Sequence, residues 1–433
     1  MRNTTILLLF LAQQTFAQDT WTLQECMQYA VEHNHEVRQS ELELDNKKAT
    51  KTGAIGRFLP AVEANVGAQY NFGRAIDPET NTYTNVNTFY NGYQVYASLP
   101  VFDGFNRLHA LRAAKASVLM GQSALRQQQD ETALAVLQAY TNALYYQGMI
   151  RMAREKLEEN SLLLKQTKLL EEVGRKSAAD VAQVESQKAE AEFHLTQQEN
   201  LFETAMLELK QAMAWPLASE LAIAESMTAY PSTANEDHPL SPLHPSLEAS
   251  RLQTEVARHE WHQARSALYP SITFNVGMST TYYKTLHSPT AISFGQQLRN
   301  NRGEYIGATL SIPLFNRLQT VTSIRRAKNS YLIAREAYQQ KQLELEKLSR
   351  QAVNDLLSCQ KQTIQMAHKV EADSMAYGLT RRQFEEGLAT AIDLRSTSAQ
   401  LLQSKATLLQ CQLMTMVKET LVRYYKGEQI WTE

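Results

Sequence analysis

ASLPVFDGFNR (97–107) and LSIPLFNR (310–317) are one motif written twice. Pro100 aligns with Pro313 and Phe102 with Phe315, both pairs 213 residues apart. The same interval separates Gly174 from Gly387, Ser177 from Thr390 and Asp180 from Asp393. Upstream, FLPAVEANVG (58–67) matches LYPSITFNVG (268–277) at an interval of 210. Matches at a nearly constant interval along the whole chain argue for a tandem duplication. The period is far too long for a solenoid repeat.

Proline marks what lies between these motifs. All 11 prolines fall within Pro60–Pro100 or Pro216–Pro313. Proline removes a helix hydrogen bond and clashes with the preceding turn, so the tracts after Pro100 and after Pro313 are free to be helical. Ala, Leu, Gln, Glu and Lys dominate them, and these residues lose little freedom in a helix. In the second tract, Tyr331, Ala334, Tyr338, Leu345, Leu348, Ala352 and Cys359 keep a 3/4 spacing that Lys341 and Asp355 interrupt. That is a discontinuous coiled-coil seam. Each tract is broken once, at Gly174-Arg175-Lys176-Ser177 and at Gly387-Leu388-Ala389-Thr390. Glycine suits a helix C-cap, and Ser or Thr the next N-cap. Asp180 and Asp393 follow those caps by three residues, where a carboxylate favours a helix start. Two helical hairpins result. Their outgoing arms, Phe105–Val173 and Asn316–Glu386, would each span roughly 100 Å. Helices of that length suit a coiled coil, a stalk or a tube.

Four segments alternate with period two. Val62, Ala64, Val66, Ala68, Tyr70 and Phe72 oppose Glu63, Asn65, Gly67, Gln69 and Asn71. Tyr93, Val95, Ala97, Leu99 and Val101 form the apolar side of the second segment. Ile272, Phe274, Val276 and Met278 form it in the third, and Ile306, Ala308, Leu310 and Ile312 in the fourth. Each is long enough for a tilted strand to cross a bilayer. Phe58, Phe102, Tyr269 and Phe315 stand at the helix-proximal ends. Tyr70, Phe72, Tyr93, Tyr282 and Tyr305 stand at the far ends, so the pattern has two interfacial girdles. The connections 74–92 and 285–304 are polar and read as extracellular loops. A soluble β-sandwich edge alternates equally well, but its strands are usually shorter. Four strands cannot close a barrel, and lipid tolerates no open sheet edge, so other copies must supply the rest. A dimer would bring eight strands and a trimer twelve.

Residues 1–17 read as a signal peptide: Arg2, the apolar run Ile6–Ala12, and Thr15-Phe16-Ala17 before Gln18. The chain carries 43 basic and 45 acidic residues, a balance that offers nothing to nucleic acid. Mean hydropathy is -0.39, too polar for a helical membrane protein. Cys26, Cys359 and Cys411 are too few and too scattered for a disulfide framework. His259 and His262 lie at i, i+3 without an evident third ligand, so a solvated helix face is the simpler reading than a metal site. His33 and His35 point to different sides of a helix. No nucleophile elbow, phosphate loop or dinucleotide fingerprint is present, and an enzyme has no residue to stand on.

Together these features resemble the TolC-like outer-membrane efflux protein family. The resemblance rests on the duplication, Leu59-Pro60 and Tyr269-Pro270 before the strands, the LPVFDG and IPLFNR exits, and the two G-x-x-[ST]-x-x-D turns. Trp21-Thr22-Leu23-Gln24-Glu25-Cys26 through Tyr29-Ala30 is similar to the family's opening helix, with capping-box spacing from Thr22 to Glu25. The resemblance implies a mainly α protomer with a small membrane β part. Three such protomers would build a 12-stranded β-barrel and a long α-helical barrel. It implies a passive duct in the outer membrane of a Gram-negative bacterium, helices in the periplasm, carrying small molecules or proteins outward. The expected partners are two further copies, a periplasmic adaptor, an inner-membrane transporter and outer-membrane lipid, with no cofactor. A trimeric surface stalk or adhesin is the alternative.

On this reading the chain divides into a signal peptide (1–17), an N-terminal helix (18–58), a first β-hairpin (59–104) and a first helical hairpin (105–213). An equatorial segment (214–245), a helix (246–268), a second β-hairpin (269–315), a second helical hairpin (316–426) and an equatorial tail (427–433) follow. The resemblance places the pore aperture at Asp393 and Ser396. It places adaptor docking on Gly174, Arg175, Lys176, Ser177 and Asp180 of one turn and Gly387, Leu388, Ala389 and Thr390 of the other.

Overall fold

The structure, a computed structural model, describes residues 20–76, 81–85, 87–224, 244–286 and 292–431. The expected signal peptide and much of the 214–245 segment lie outside the described residues. In chain order the elements are α1 (Leu23–His33), α2 (His35–Gly56), β1 (Ala61–Asn71), β2 (Arg74–Ile76), β3 (Tyr83–Asn85), β4 (Thr88–Phe102) and α3 (Asn106–Glu172). There follow α4 (Ala178–Met213), α5 (Pro245–Ser266), β5 (Ser271–Thr285), α6 (Phe294–Asn300), β6 (Gly303–Ser311), α7 (Gln319–Glu385) and α8 (Ala391–Tyr425). Helices α3 and α7 have 67 residues each, about 100 Å of helix. The chain divides into two compact units, one of residues 42–123 and 247–341, the other of the remainder.

The first of these units holds a four-stranded antiparallel sheet in the order β1-β4-β5-β6. Its register makes the alternation continuous from strand to strand. Val62 faces Ala97, Ala97 faces Val276, and Val276 faces Ile306. Residues directly opposite share a face, so one side of the sheet is apolar across all four strands over its helix-proximal part, with Asn91, Thr280, Lys284 and Glu304 on that side toward the far end. The other carries Glu63, Gln94, Tyr96, Ser279 and Gly303 in register. There Tyr96 donates a hydrogen bond to Glu63, and Tyr305 lies over Gly277, where a Cβ would meet its ring at 2.5 Å.

Both expected loops contain structure. Within 74–92, β2 and β3 pair as a ribbon, with Arg74 4.9 Å from the ring centre of Tyr83. Within 285–304, α6 packs on β5, and the reason is the sheet edge. Strand β5 runs on to Thr285, but its last partner in β6 faces Ser279. Gln297 meets both backbone groups of Tyr283, at 2.9 and 3.0 Å, and Asn301 donates to the carbonyl of Thr281 at 2.9 Å. Two side-chain amides thus replace the missing strand.

The strand-to-helix exits show the duplication in geometry. Asp103 accepts from the Arg107 amide and Asn316 from the Thr320 amide, equivalent positions in the two copies. Two left-handed residues follow in each, Gly104 and Phe105 in one and Arg317 and Leu318 in the other. Arg107 is buried, with Nε on Asp103 at 2.9 Å, a further bond to the Arg57 carbonyl, and the Phe58 ring against its guanidinium.

The other unit is built on a core of α1, α3, α4 and α8 around Cys26, Leu137, Tyr140, Leu209 and Met213. Trp21 forms a parallel bridge with Ile223, and the Tyr140 hydroxyl donates to the carbonyls of Trp21 and Ala224. At the C-terminal end, Trp431 donates to the buried Asp130 at 3.1 Å. Burial raises the Asp130 carboxyl to about 6, against the lowering effect of that bond. The expected single helix over 18–58 is two helices. Asn34 leaves the helical region with ψ 135°, its side chain accepting from the Glu36 amide at 2.7 Å and donating to the Ala212 carbonyl at 3.1 Å. An Asn that can serve its own backbone offers the chain an exit from the helix.

Gly104 and Gly174 share a positive φ but not their surroundings. A Cβ on Gly174 meets nothing within 4 Å, so Gly174→Ala meets backbone strain alone, about 1–2 kcal/mol. A Cβ on Gly104 would lie 2.5 Å from the backbone oxygen of Ser266. Gly104→Ala is therefore expected to lower the thermal unfolding midpoint clearly further than Gly174→Ala. Equal shifts in the two variants would show that the exit turn is looser than it looks.

Candidate functional site

The two hairpin turns have one construction. Leu170 and Gln383, equivalent positions at the ends of α3 and α7, each accept two amides from across the turn: Arg175 and Lys176 in one, Leu388 and Ala389 in the other. Gly174 and Gly387 make these reversals possible with φ of 76° and 80°. The next helix starts in a complete capping box each time. Asp180 accepts from the amide and hydroxyl of Ser177, and Asp393 from those of Thr390, at 2.7–3.1 Å. These bonds hold both carboxyls below their ordinary range. For Asp180 the backbone amide of Ser177 contributes most, and for Asp393 the hydroxyl of Thr390.

The turns differ in what they present. Arg175 is exposed, whereas the Lys176 ammonium lies 3.8 Å from the ring centre of the buried Phe384. In the second turn Leu388 is 77% exposed, and Asp393 and Ser396 both face solvent from α8. Ala389 packs instead against a small core of Leu163, Val184, Phe384, Ala391 and Leu394. That core joins the two hairpins within the protomer.

A set of polar ties joins them as well, and sequence reasoning missed it. Glu159 on α3 receives Lys156 at 2.8 Å and Arg381 of α7 at 3.4 Å, and the Tyr377 hydroxyl of α7 donates to it. Burial alone would raise Glu159, yet the bonds from Lys156 and Tyr377 hold its carboxyl low. Burial pushes the Tyr377 phenol up, and its bond to Glu159 adds to the shift. Arg395 of α8 pairs with Glu190 of α4 at 3.0 Å. Gln187 donates to the Ala391 carbonyl. An open groove of about 440 Å³ runs beside these residues, lined by Lys156, Glu159, Tyr377, Arg381 and Lys405 among others. The sequence traces of the ties are the i, i+3 spacing of Lys156 and Glu159 and the i, i+4 spacing of Tyr377 and Arg381, which say nothing of a partner more than 200 positions away.

The histidines are placed differently from the reading as a solvated face. His259 and His262 are half-buried against α3, with the His109 ring 6.1 and 5.2 Å from theirs. The rings lie nearly parallel, at 31° and 22°, rather than converging on a point. Among the described residues no group of three His, Cys, Asp or Glu is arranged to hold a metal ion. Burial lowers all three imidazoles, and Arg112, Arg258 and Arg265 add to the shift.

Comparison with known proteins gives a family. The sequence model described as "Outer membrane efflux protein" matches residues 26–214 and 242–420, one block for each copy of the duplication. The chain is 24% identical over 383 residues to the alkaline protease secretion protein AprF of Pseudomonas aeruginosa, covering 83% of this chain and 75% of AprF. Its fold is similar to that of the outer membrane protein VceC of Vibrio cholerae, with a TM-score of 0.81, 14% identity, and coverage of 94% of this chain and 96% of VceC. It is also similar to the open state of the MtrE outer membrane channel of Neisseria gonorrhoeae, with a TM-score of 0.75, 16% identity, and coverage of 94% and 88%.

The caps respond to acid with a definite sign. A carboxyl depressed in the fold stabilises the helix start above its unfolded value, and that contribution is lost as pH falls through the depressed folded value. Hydrogen-exchange protection factors over residues 178–182 and 391–395 are therefore expected to fall together as pH drops below the ordinary Asp value of 3.8. Asp393→Ala should remove protection from the start of α8 at neutral pH and leave the start of α4 unchanged. Full protection of α8 in that variant would rule out the cap.

Proposed function

The chain belongs to the outer membrane efflux protein family, and from that premise we propose that three copies assemble into one continuous duct. The protein is an outer membrane efflux channel and not an enzyme, which sets aside the stalk or adhesin reading. One observation carries the assembly: strands β1 and β6 are both edges of a sheet with an apolar band, Val62, Ala97, Val276 and Ile306, running across all four strands of one face. Hydrocarbon tolerates no unpaired strand edge, so β6 of one copy pairs with β1 of the next. Four strands per copy give twelve in a trimer. The face of Glu63, Gln94 and Ser279 then lines water, and that of Val62, Val95, Val276 and Ile306 meets lipid.

The helical hairpins extend into the periplasm and end at the two capped turns. Those turns offer an adaptor two unlike surfaces, one with exposed Arg175 and one with exposed Leu388. An inner-membrane transporter supplies the cargo through that adaptor. The name of AprF supports a secreted protein as cargo, while the family's name points to efflux. A passive duct serves both.

Asp393 and Ser396 stand together on α8 beside the second turn. Three copies of Asp393 around the axis would concentrate negative charge at the narrowest point and favour cations. The ties from Glu159 to Tyr377 and Arg381 hold the second hairpin against the first and keep that constriction small.

In planar bilayers, heat-resistant trimers are expected to insert and conduct in uniform steps. Protein that stays monomeric or does not insert would defeat the proposal. Asp393→Ala should lower the cation-to-anion permeability ratio several-fold, while Asp180→Ala, which removes only a cap, should leave it unchanged. Equal ratios in both variants would take Asp393 out of the aperture. Tyr377→Phe combined with Arg381→Ala should raise single-channel conductance several-fold. Unchanged conductance would mean that the ties brace the helices without setting the opening.

A further inference from the structure

Charge is distributed very unevenly about the sheet. The 15 residues on the helical side of each strand, 46–60, 103–117, 256–270 and 312–326, hold 12 lysines and arginines and two carboxylates, Asp103 and Glu260. The chain as a whole has slightly more acidic than basic residues. At the other end of the strands, 72–87 and 286–302 hold three cations and two carboxylates. The excess therefore belongs to one rim only.

Among these cations Arg107 is buried and fully engaged. Arg57, Arg112, Arg265, Arg317, Arg325 and Arg326 are exposed instead. None of these six pairs with a carboxylate among the described residues, although Arg265 rests on the Trp261 ring of its own helix. Three sit next to the strands and their aromatic ends. Arg57 precedes Phe58 and Leu59, Arg265 lies one helical turn before Tyr269, and Arg317 follows Phe315 and Leu314, which is 93% exposed. A band of bare apolar side chains, then aromatic rings, then unpaired guanidinium groups is the order of a membrane from hydrocarbon to headgroup.

We propose that this rim binds the phosphate groups of anionic phospholipids in the leaflet on the helical side of the outer membrane. Guanidinium pairs with phosphate through two parallel hydrogen bonds, and each cation near an anionic surface strengthens the attraction about fivefold. The site anchors the depth of the sheet and biases the lipid around it, leaving the duct itself unaltered. The inference rests on the outer-membrane channel reading.

The test measures which lipid surrounds the full-length trimer in phosphatidylcholine vesicles, using trace spin-labelled phosphatidylglycerol against spin-labelled phosphatidylcholine. The wild type should enrich phosphatidylglycerol several-fold at low salt and lose most of that preference in molar salt. The triple variant Arg57→Gln, Arg265→Gln, Arg317→Gln should approach no preference, and the corresponding Arg→Lys variant should keep most of it. No enrichment in the wild type, or the same enrichment in the Gln variant, overturns the proposal. So does inorganic phosphate displacing the lipid where chloride of equal ionic strength does not, because the site would then take a soluble anion. A Gln variant that loses its trimers while the surviving ones keep wild-type enrichment also overturns it, since these arginines would then pair between copies. Failure of the wild type to enter neutral vesicles at all would instead strike the channel reading beneath the proposal.

Discussion

An unpaired backbone amide or carbonyl cannot be left in hydrocarbon, and this protomer is organised by that constraint. The sheet satisfies it internally for β4 and β5 and leaves it open at β1 and β6. The protein is therefore incomplete as a single chain for a physical reason. The same rule explains a small feature at the far end of β5. There Gln297 and Asn301 cover backbone groups that β6 is too short to reach. Side-chain amides carry both a donor and an acceptor, so one glutamine can stand in for one residue of a strand.

The duplication conserves geometry more closely than residue type. At the strand exits, Gly104 and Phe105 in one copy and Arg317 and Leu318 in the other adopt the same left-handed pair. Glycine is the expected choice at such a place. In the first copy it is also required, because the backbone of Ser266 lies where a Cβ would be. The second copy tolerates arginine and leucine, with the cap from Asn316 to Thr320 holding the turn. The hairpin turns behave alike. Their hydrogen bonds are the same, while the exposed residues at their ends change from Arg175 to Leu388. A duplicated scaffold can thus keep its folding instructions and vary what it shows to a partner.

What could be read from sequence follows from the range of the interactions. Strand alternation, proline-free tracts and glycine turns are local, so Val62 through Tyr70, Gly174 and Gly387 announced themselves. The capping boxes at Ser177 and Thr390 were equally plain, since their partners stand three residues away. The break at Asn34 was hidden because its side chain reaches Ala212, on another helix. The ribbon of β2 and β3 and the helix α6 were hidden among polar residues without a period. Glu159, Tyr377 and Arg381 were invisible for a simpler reason. They are ordinary helix-surface residues until α3 and α7 lie side by side. His109 likewise stands 150 positions or more from His259 and His262 in the sequence, and only helices lying side by side bring the rings together.

The near-neutral totals of the chain conceal a separation of charge along it. Next to the strands, cations outnumber carboxylates, and most are left without partners. It follows arithmetically that the rest of the chain is acidic. A surface that must stay at a fixed depth beside anionic headgroups gains from unpaired arginine, which remains charged at any physiological pH. Away from the strands the excess carboxylates are scattered along the helices, some of them paired between helices as Glu190 is with Arg395. Net charge is informative here only after it is resolved along the chain. The balance that first argued against a nucleic-acid partner is the sum of a basic rim beside the strands and an acidic remainder, two opposite excesses that cancel when they are added together.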